Sequence, residues 1–450
     1  MMRASIVFKT LLLVIEYTSF ALCFLYWVFY SLVRTKGVPI FFNGIEIDST
    51  FHGILVSIVL LFNSLFFSRL LLEVNSNGNS LRANCVRHLS KNILPVSLIF
   101  LIITFYAGGR FDYASYKLQW NIIVTGGNPW GIVEGGMINA YGYIFNFLGP
   151  LYSLNHLLPK LTFVLLLICF SLRMGSLSNR KFWSLPFLLC VNPFTVSTLA
   201  IYGFIDGLCS LLMGFALLEV SQASLRSSFR SGIFLALSIL TKFYSLVALP
   251  IFLFGHLGKK LSRSFAKGFV YSSVFFVAVS YLMWGDSIVA PLFFAKGRDP
   301  SFLTIWKYVS FPELRSVVFS IISIAAIIVA CARKALPLSL RTAAVLSIVF
   351  GSYYLGHQQF YLGILVCLSV YIVEAARYPS IQLKVTTLRT FALMFGWFIF
   401  IQTGFELFDE YKPAGLQSLL PFFSYLNSII LIGSGIYWLS CMPTLEEKSI

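Results

Sequence analysis

The sequence predicts an all-α fold: a polytopic transmembrane helical bundle of about fourteen spans, two of them short or broken, with amphipathic surface helices in the first large external loop. Three observations carry that expectation. Of 450 residues, 58% are hydrophobic and 11% charged, with a mean hydropathy of +0.84, too apolar for a chain bathed in water. The apolar runs mostly reach the roughly 20 residues a helix needs to cross hydrocarbon, and they lack the alternation of a membrane barrel. Backbone groups in lipid must find partners within their own segment, which leaves helices as the spanning element.

The formal net charge is +16, but Lys and Arg fall in short clusters between apolar runs. That is how topology is written, and no nucleic-acid partner is expected. The eight cysteines are scattered, with no CxxC pair and no neighbouring His cluster, so neither a disulfide framework nor a zinc site is indicated. MMRASIVFK passes into a long apolar run without a small-residue cleavage site, which predicts an uncleaved first helix.

In chain order the spans are expected near Ile6–Val33, Phe51–Leu72, Ile93–Ala107, Leu161–Leu172, Phe182–Thr198, Gly207–Val220, Ser231–Leu240, Ser245–Gly255, Phe269–Trp284, Val317–Ala332, Ala343–Tyr354, Tyr361–Val373, Thr390–Thr403 and Leu419–Leu439. Lys242, in ILTKFYSLVALP, separates two stretches each too short for a comfortable crossing. Irregular backbone at that depth is tolerated where it is buried in protein or lines a wet cavity. VNSNGNS, near Asn75, reads as a flexible link between the second and third spans.

Alternating these spans collects most of the 33 Lys and Arg residues on one face, the expected cytoplasmic side, together with both termini. The opposite face receives the loop from Gly108 to Pro159, Asp206, Lys242, the loop from Asp286 to Arg315, His357 to Gln359, and the loop from Glu406 to Lys412. Nearly every unusual polar residue falls there. Residues 1–92 read as two additional N-terminal spans with their link, residues 93–373 as a core, and residues 374–450 as C-terminal helices.

The Gly108–Pro159 loop concentrates polar and aromatic residues, and Asp112 is its focus. Tyr116, Trp120, Ile123 and Val124 recur at helical spacing, predicting an amphipathic helix on the outer membrane surface that Gly126, Gly127 and the Asn128-Pro129 turn bring to a stop. An acid at a helix start caps free backbone N–H groups, so Asp112 is read both as a cap and as a candidate catalytic carboxylate.

FDYASYKLQWNIIVTGGNPW followed by YGYIF resembles the first external loop of the GT-C superfamily, integral-membrane glycosyltransferases that use polyprenyl-phosphate sugars. Three later stretches, and a fourth turn, resemble its polytopic mannosyltransferases in the same order: VNPFTVSTLAIYGFIDGL with Asn192, Pro193, Gly203 and Asp206; LTKFYSLVALP; FFAKGRDPSFLTIWKYV; and GHQQFYLG. The resemblance covers roughly Ile93 to Val373 and makes residues 93–373 a GT-C-like catalytic core. The chain departs from the pattern in three ways. Asp112 follows the third apolar run rather than the first, no second acid stands beside it, and YGYIFNFLGP has Phe and Gly where related enzymes often have Tyr-Pro-Pro.

The resemblance implies sugar transfer, possibly of mannose, from a polyprenyl-phosphate donor to a lipid-linked or glycan acceptor. It implies no cofactor and leaves a divalent metal open. A base must take the acceptor proton as the new bond forms, the role expected of Asp112. The departing phosphate gains negative charge, so Arg298, Lys242 and Lys296 are its expected partners. Trp120, Asn128, Trp130, Tyr141, Tyr143, Asp206, His357 and Gln358 are the expected substrate-binding residues. Each cation and acid also has a plain alternative: Arg298 as a solvated pair with Asp299, Lys242 reaching to the interface, Asp206 as a cap, and His357 capping a turn. A transporter or flippase of lipid-linked saccharides would share the broken helices and charges, although the chain shows no twofold repeat. A polysaccharide polymerase or ligase would usually keep a very large late external loop. No Asn-x-Ser/Thr acceptor occurs, which points toward a prokaryotic plasma membrane over the endoplasmic reticulum.

Overall fold

A computed structural model describes residues 14, 18, 41–42, 45–46, 61, 64–74, 80–91, 93–107, 112–130, 132–133, 136–137, 142–178, 184–255, 258–293, 300–301, 303–309, 311, 313–377, 385–411 and 418–440. A helix stands at every apolar run from Ile93 onward. The longer ones are α1 (Leu81–Lys91), α2 (Ile93–Ala107), α3 (Asp112–Val124), α4 (Leu158–Leu177), α5 (Ile205–Val220), α6 (Leu225–Thr241), α7 (Lys259–Trp284), α8 (Leu314–Ala332), α9 (Leu338–Ser352), α10 (Tyr361–Arg377), α11 (Val385–Tyr411) and α12 (Leu420–Ser440). Two antiparallel hairpins, Phe41–Phe42 with Ile45–Glu46 and Ile132–Val133 with Gly136–Met137, are the other regular structure among the described residues.

Five helices among the described residues are long and apolar enough to cross a membrane: Leu158–Leu177, Lys259–Leu292, Leu314–Ala332, Gln358–Arg377 and Leu420–Ser440. The chain is a helical membrane protein.

Close backbone approach and polar contacts hold particular helix pairs together. In lipid, tails are as apolar as Leu, so association relies on packing and on polar contacts between helices. Glycine supplies the packing between α6 and α7: a Cβ on Gly232 would lie 2.1 Å from the Phe265 carbonyl oxygen, and one on Gly268 would lie 2.1 Å from that of Phe229. Serines supply the polar contacts. Ser231 Oγ donates to Ala216 O across the α5/α6 hairpin, and Ser347 Oγ donates to Leu431 O between α9 and α12, both at 2.7 Å.

The α5/α6 hairpin turns tightly because Ser224 caps α6. Its Oγ accepts from Ser227 N, and Ser227 Oγ accepts from Ser224 N, each at 3.1 Å. The acid at this end is paired, Arg173 reaching Glu219 at 2.9 Å, and between α9 and α10 Ser339 Oγ donates to the Glu374 carboxylate.

The N-terminal and C-terminal stretches share one apolar core with the middle of the chain, a cluster running from Phe66 to Leu439. Ser64 Oγ donates to Gly396 O, Ser68 Oγ donates to Ala392 O at 2.8 Å, and the Phe67 ring packs edge-on to Phe395. One residue on, Trp397 Nε1 donates to Asn427 Oδ1, while Asn427 Nδ2 reaches Tyr361 Oη at 2.7 Å. α10, α11 and α12 are thereby tied together beside the loops of the expected outer face.

Candidate functional site

Two interrupted helices build the centre of the site. The first begins at Asn192, whose Oδ1 accepts from Thr195 N and whose Nδ2 donates to Leu189 O, so Asn192 caps the helix that Pro193 opens. That helix widens into a π-turn over Val196–Ile201 and ends at Gly203, which has φ +62°. Glycine is needed there for a second reason: a Cβ would lie 2.9 Å from Lys160 Cγ and 3.1 Å from the Tyr113 ring. α5 then starts, with Asp206 as its second residue and no side-chain cap on Phe204 before it. The second interruption is at Lys242 itself. α6 stops at Thr241, Lys242 is extended, and a 3-10 helix follows over Phe243–Ala248.

The two interruptions meet. Lys242 Nζ lies 2.8 Å from Asp206 Oδ1 and donates to Oδ2 at 2.9 Å. Asp206 is fully buried, whereas the Lys242 side chain keeps 18% of its surface accessible. The ammonium also sits 4.5 Å from the centre of the Phe360 ring, a cation–π contact. Tyr244 Oη closes the far side, donating to Asp206 O at 3.2 Å and pairing with Ser210 Oγ at 2.9 Å, while its ring packs on Phe350 and Phe360. Asp206 is thus the buried counter-ion of Lys242 in the first turn of α5, and the positive charge expected to await a phosphate already has a partner. A buried charged residue in a membrane helix is expensive and marks function by default.

α3 lies against the Gly203 turn. Its buried strip is Tyr113, Tyr116, Gln119 and Trp120, so Tyr116 and Trp120 of the expected strip face the protein, Ile123 packs partly against it, and Val124 is exposed. Tyr113 Oη donates to His156 O at 2.8 Å, and Tyr116 Oη accepts from Ile205 N at 3.3 Å, one residue before Asp206. Burial pushes the Tyr113 phenol up and the Lys117 ammonium down. Asp112 opens this helix, half-buried, directly before the tyrosine that touches Gly203. Trp120 is fully buried, stacked on Phe145 at 4.8 Å, with Nε1 donating to Phe145 O at 2.9 Å. The substrate-facing role expected for it is corrected: it anchors α3.

Asn128, Trp130 and Tyr143 form a separate brace. Asn128 Oδ1 accepts from Trp130 N, its Nδ2 donates to Ser287 Oγ at 2.6 Å, and Tyr143 Oη donates to Ile288 O at 3.0 Å. Trp130 is buried edge-on between Tyr143 and Trp284. Desolvation raises the Tyr143 phenol above its ordinary range. These three residues bind the loop between α2 and α4 to the 3-10 turn Gly285–Val289. The brace reaches the end of α6 through Gly142, whose missing Cβ would lie 2.1 Å from Leu240 O and whose N–H donates at 3.1 Å to the carbonyl of Thr241, the residue directly before Lys242.

His357 packs edge-on to Phe360, and Gln358 opens the short helix that carries Phe360 beneath Lys242. Arg298, Lys296 and Tyr141 lie outside the described residues. Lys160 carries no signal in the sequence, standing just ahead of an apolar run. It is fully buried, with Nζ donating to Ile201 O at 2.6 Å beneath the Gly203 turn. Tyr244 and Phe360 likewise read as ordinary apolar residues until the fold brings them to Lys242. Among the described residues no group of three His, Cys, Asp or Glu side chains is placed to hold a metal ion. The chain matches no protein-family model and no curated protein sequence.

Proposed function

We propose that the protein is a multi-pass membrane glycosyltransferase of GT-C type, with about fourteen crossings, moving a sugar from a polyprenyl-phosphate donor to a lipid-linked or glycan acceptor on the non-cytoplasmic face. Mannose is the favoured sugar on the resemblance of the chain. The observation that carries the reading is the Asp206–Lys242 ion pair, held at the junction of two interrupted helices and overlain by the helix that Asp112 opens.

In this reading Asp112 takes the proton of the acceptor hydroxyl as that oxygen attacks the sugar carbon, and the bond from that carbon to the phosphate oxygen breaks. The departing phosphate carries the bonding electrons, and Lys242, joined by Arg298 and Lys296, meets its charge. Lys242 is the accessible member of its pair, so an arriving phosphate competes with Asp206 for the ammonium. Asp206 holds that ammonium in place until then.

The test is sugar transfer from polyprenyl-phosphate donors in membranes containing Asp112→Asn, Lys242→Met or the unaltered protein at equal expression. Loss of about 10² or more in both variants supports the assigned roles. Transfer by Asp112→Asn near the unaltered level overturns the general base. Saccharide movement across proteoliposomes with no covalent product would make the protein a flippase.

A further inference from the structure

α1, the eleven-residue helix Leu81–Lys91 between the second and third apolar runs, presents three strips, and the fold covers one of them. Ala83, Val86 and Ser90 face the protein, with Ser90 Oγ 3.3 Å from Ser184 Oγ, and Arg82 is also buried, 5.5 Å from the Phe66 ring centre. A second strip, Leu81, Cys85 and Leu89, recurs every fourth residue and is exposed, Leu81 to 76% and Leu89 to 42%. Asn84, Arg87 and Lys91 make the third, where half-buried Arg87 donates to Asn84 Oδ1 at 3.1 Å and to Val74 O at 3.4 Å, and His88 lies between the apolar and basic strips.

The surroundings of α1 say what covers the apolar strip. α2 continues from it with its own exposed apolar strip, Leu94, Leu98, Ile102 and Phe105, the surface a spanning helix shows to lipid tails. The segment from Leu61 to Ala107 holds four Lys and Arg residues against the single acid Glu73, and Glu73 is occupied by Arg69 at 3.0 Å and Ser80 at 2.9 Å. A helix with protein on one side, an apolar strip on the second and cations on the third fits a membrane interface whose headgroups are negative.

We propose that α1 docks on anionic phospholipid headgroups, with Leu81, Cys85 and Leu89 entering the acyl boundary and Arg87 and Lys91 at phosphate level. Ser80 sets the angle of the helix: its Oγ accepts from Ala83 N at 3.2 Å and donates to Glu73, fixing α1 to the end of the preceding helix. This surface is independent of sugar transfer and does not rest on that reading.

Cys85 is a built-in reporter. With Cys23, Cys169, Cys331 and Cys441 replaced by Ala, the thiols left besides Cys85 are the buried Cys190, Cys209 and Cys367. A bimane label on Cys85 in full-length protein is then read in vesicles of phosphatidylcholine and phosphatidylglycerol, one lipid brominated at a time. The expected result is strong quenching by lipid bromine, weak quenching by aqueous iodide, and greater quenching by brominated phosphatidylglycerol than by the choline lipid. Arg87→Gln with Lys91→Gln should reduce that preference about fivefold or more while bromine quenching persists. Free iodide quenching, equal quenching by both lipids, or shielding from both quenchers by protein would each overturn the proposal.

Discussion

Lys242 and Asp206 stand 36 residues apart and close on each other at 2.8 Å, the ammonium partly accessible and the carboxylate fully buried. Removing one partner leaves the other charge uncompensated, the carboxylate where water does not reach and the ammonium only partly accessible. Asp206→Asn or Lys242→Met alone should cost about 3 kcal/mol in unfolding measured in detergent, with the carboxylate left alone the worse case. Asp206→Asn with Lys242→Met should recover part of that loss. A cycle in which the two losses simply add would show that the groups act independently.

Gly142 brings the loop between α2 and α4 against the end of α6. A methyl group there would meet Leu240 O at 2.1 Å, so Gly142→Ala must lift the loop away from Lys242. Sugar transfer should fall about 10²-fold, the effect of a displacement of roughly 1 Å at a reacting centre. Gly258→Ala is the control, since nothing lies within 4 Å of its Cβ position. Equal transfer by the two variants would remove the loop from the site.

The α6/α7 contact rests on reciprocal glycines, so Gly232→Leu and Gly268→Leu should each separate the helices and cost about 3 kcal/mol or more in thermal unfolding. Gly433→Ala, in open space on α12, should be nearly silent. A silent Gly232→Leu would mean that the two backbones do not touch.

The helix α3 gives an alkaline signature. Burial lowers Lys117 from its ordinary 10.5 in the folded protein. The unfolded chain therefore holds that proton more tightly, and stability rises with pH from the lowered value up to 10.5. Tyr113 is raised above its ordinary 10.0, so above that pH the unfolded chain ionises first and stability falls. Unfolding followed across alkaline pH should show the rise weakened in Lys117→Met and the fall weakened in Tyr113→Phe.

Much of this arrangement is local and therefore legible in the sequence. Ile93–Ala107 is a helix with the same bounds that the apolar run predicts, Asp112 opens a helix, and the short stretches around Lys242 are broken at that lysine. Gly203 and Asp206 are visible as a turn and an acidic helix start. Their purpose is not, because the ion pair depends on two interruptions meeting in space, which periodicity does not encode. Trp120 shows the opposite error: an aromatic residue in a polar loop reads as a ligand platform, yet its indole N–H is spent on a backbone carbonyl in the packed interior. Lys160 gives no signal in the sequence because a lysine ahead of a span ordinarily reaches for water, and the Gly203 turn above it accounts for its burial.

The antiparallel α5/α6 hairpin also gives the ion pair a polarity. α5 begins at the carboxylate and α6 ends at the ammonium, so the partial positive charge of one helix end faces Asp206 and the partial negative charge of the other faces Lys242. Exchanging the two residues, Asp206→Lys with Lys242→Asp, would keep the Coulomb attraction but set both groups against their helix ends. Such a swap should fail to restore the stability of the original pair. The same fields reach any guest: an anion that displaces Asp206 from Lys242 enters a place already biased toward negative charge, and a cation does not.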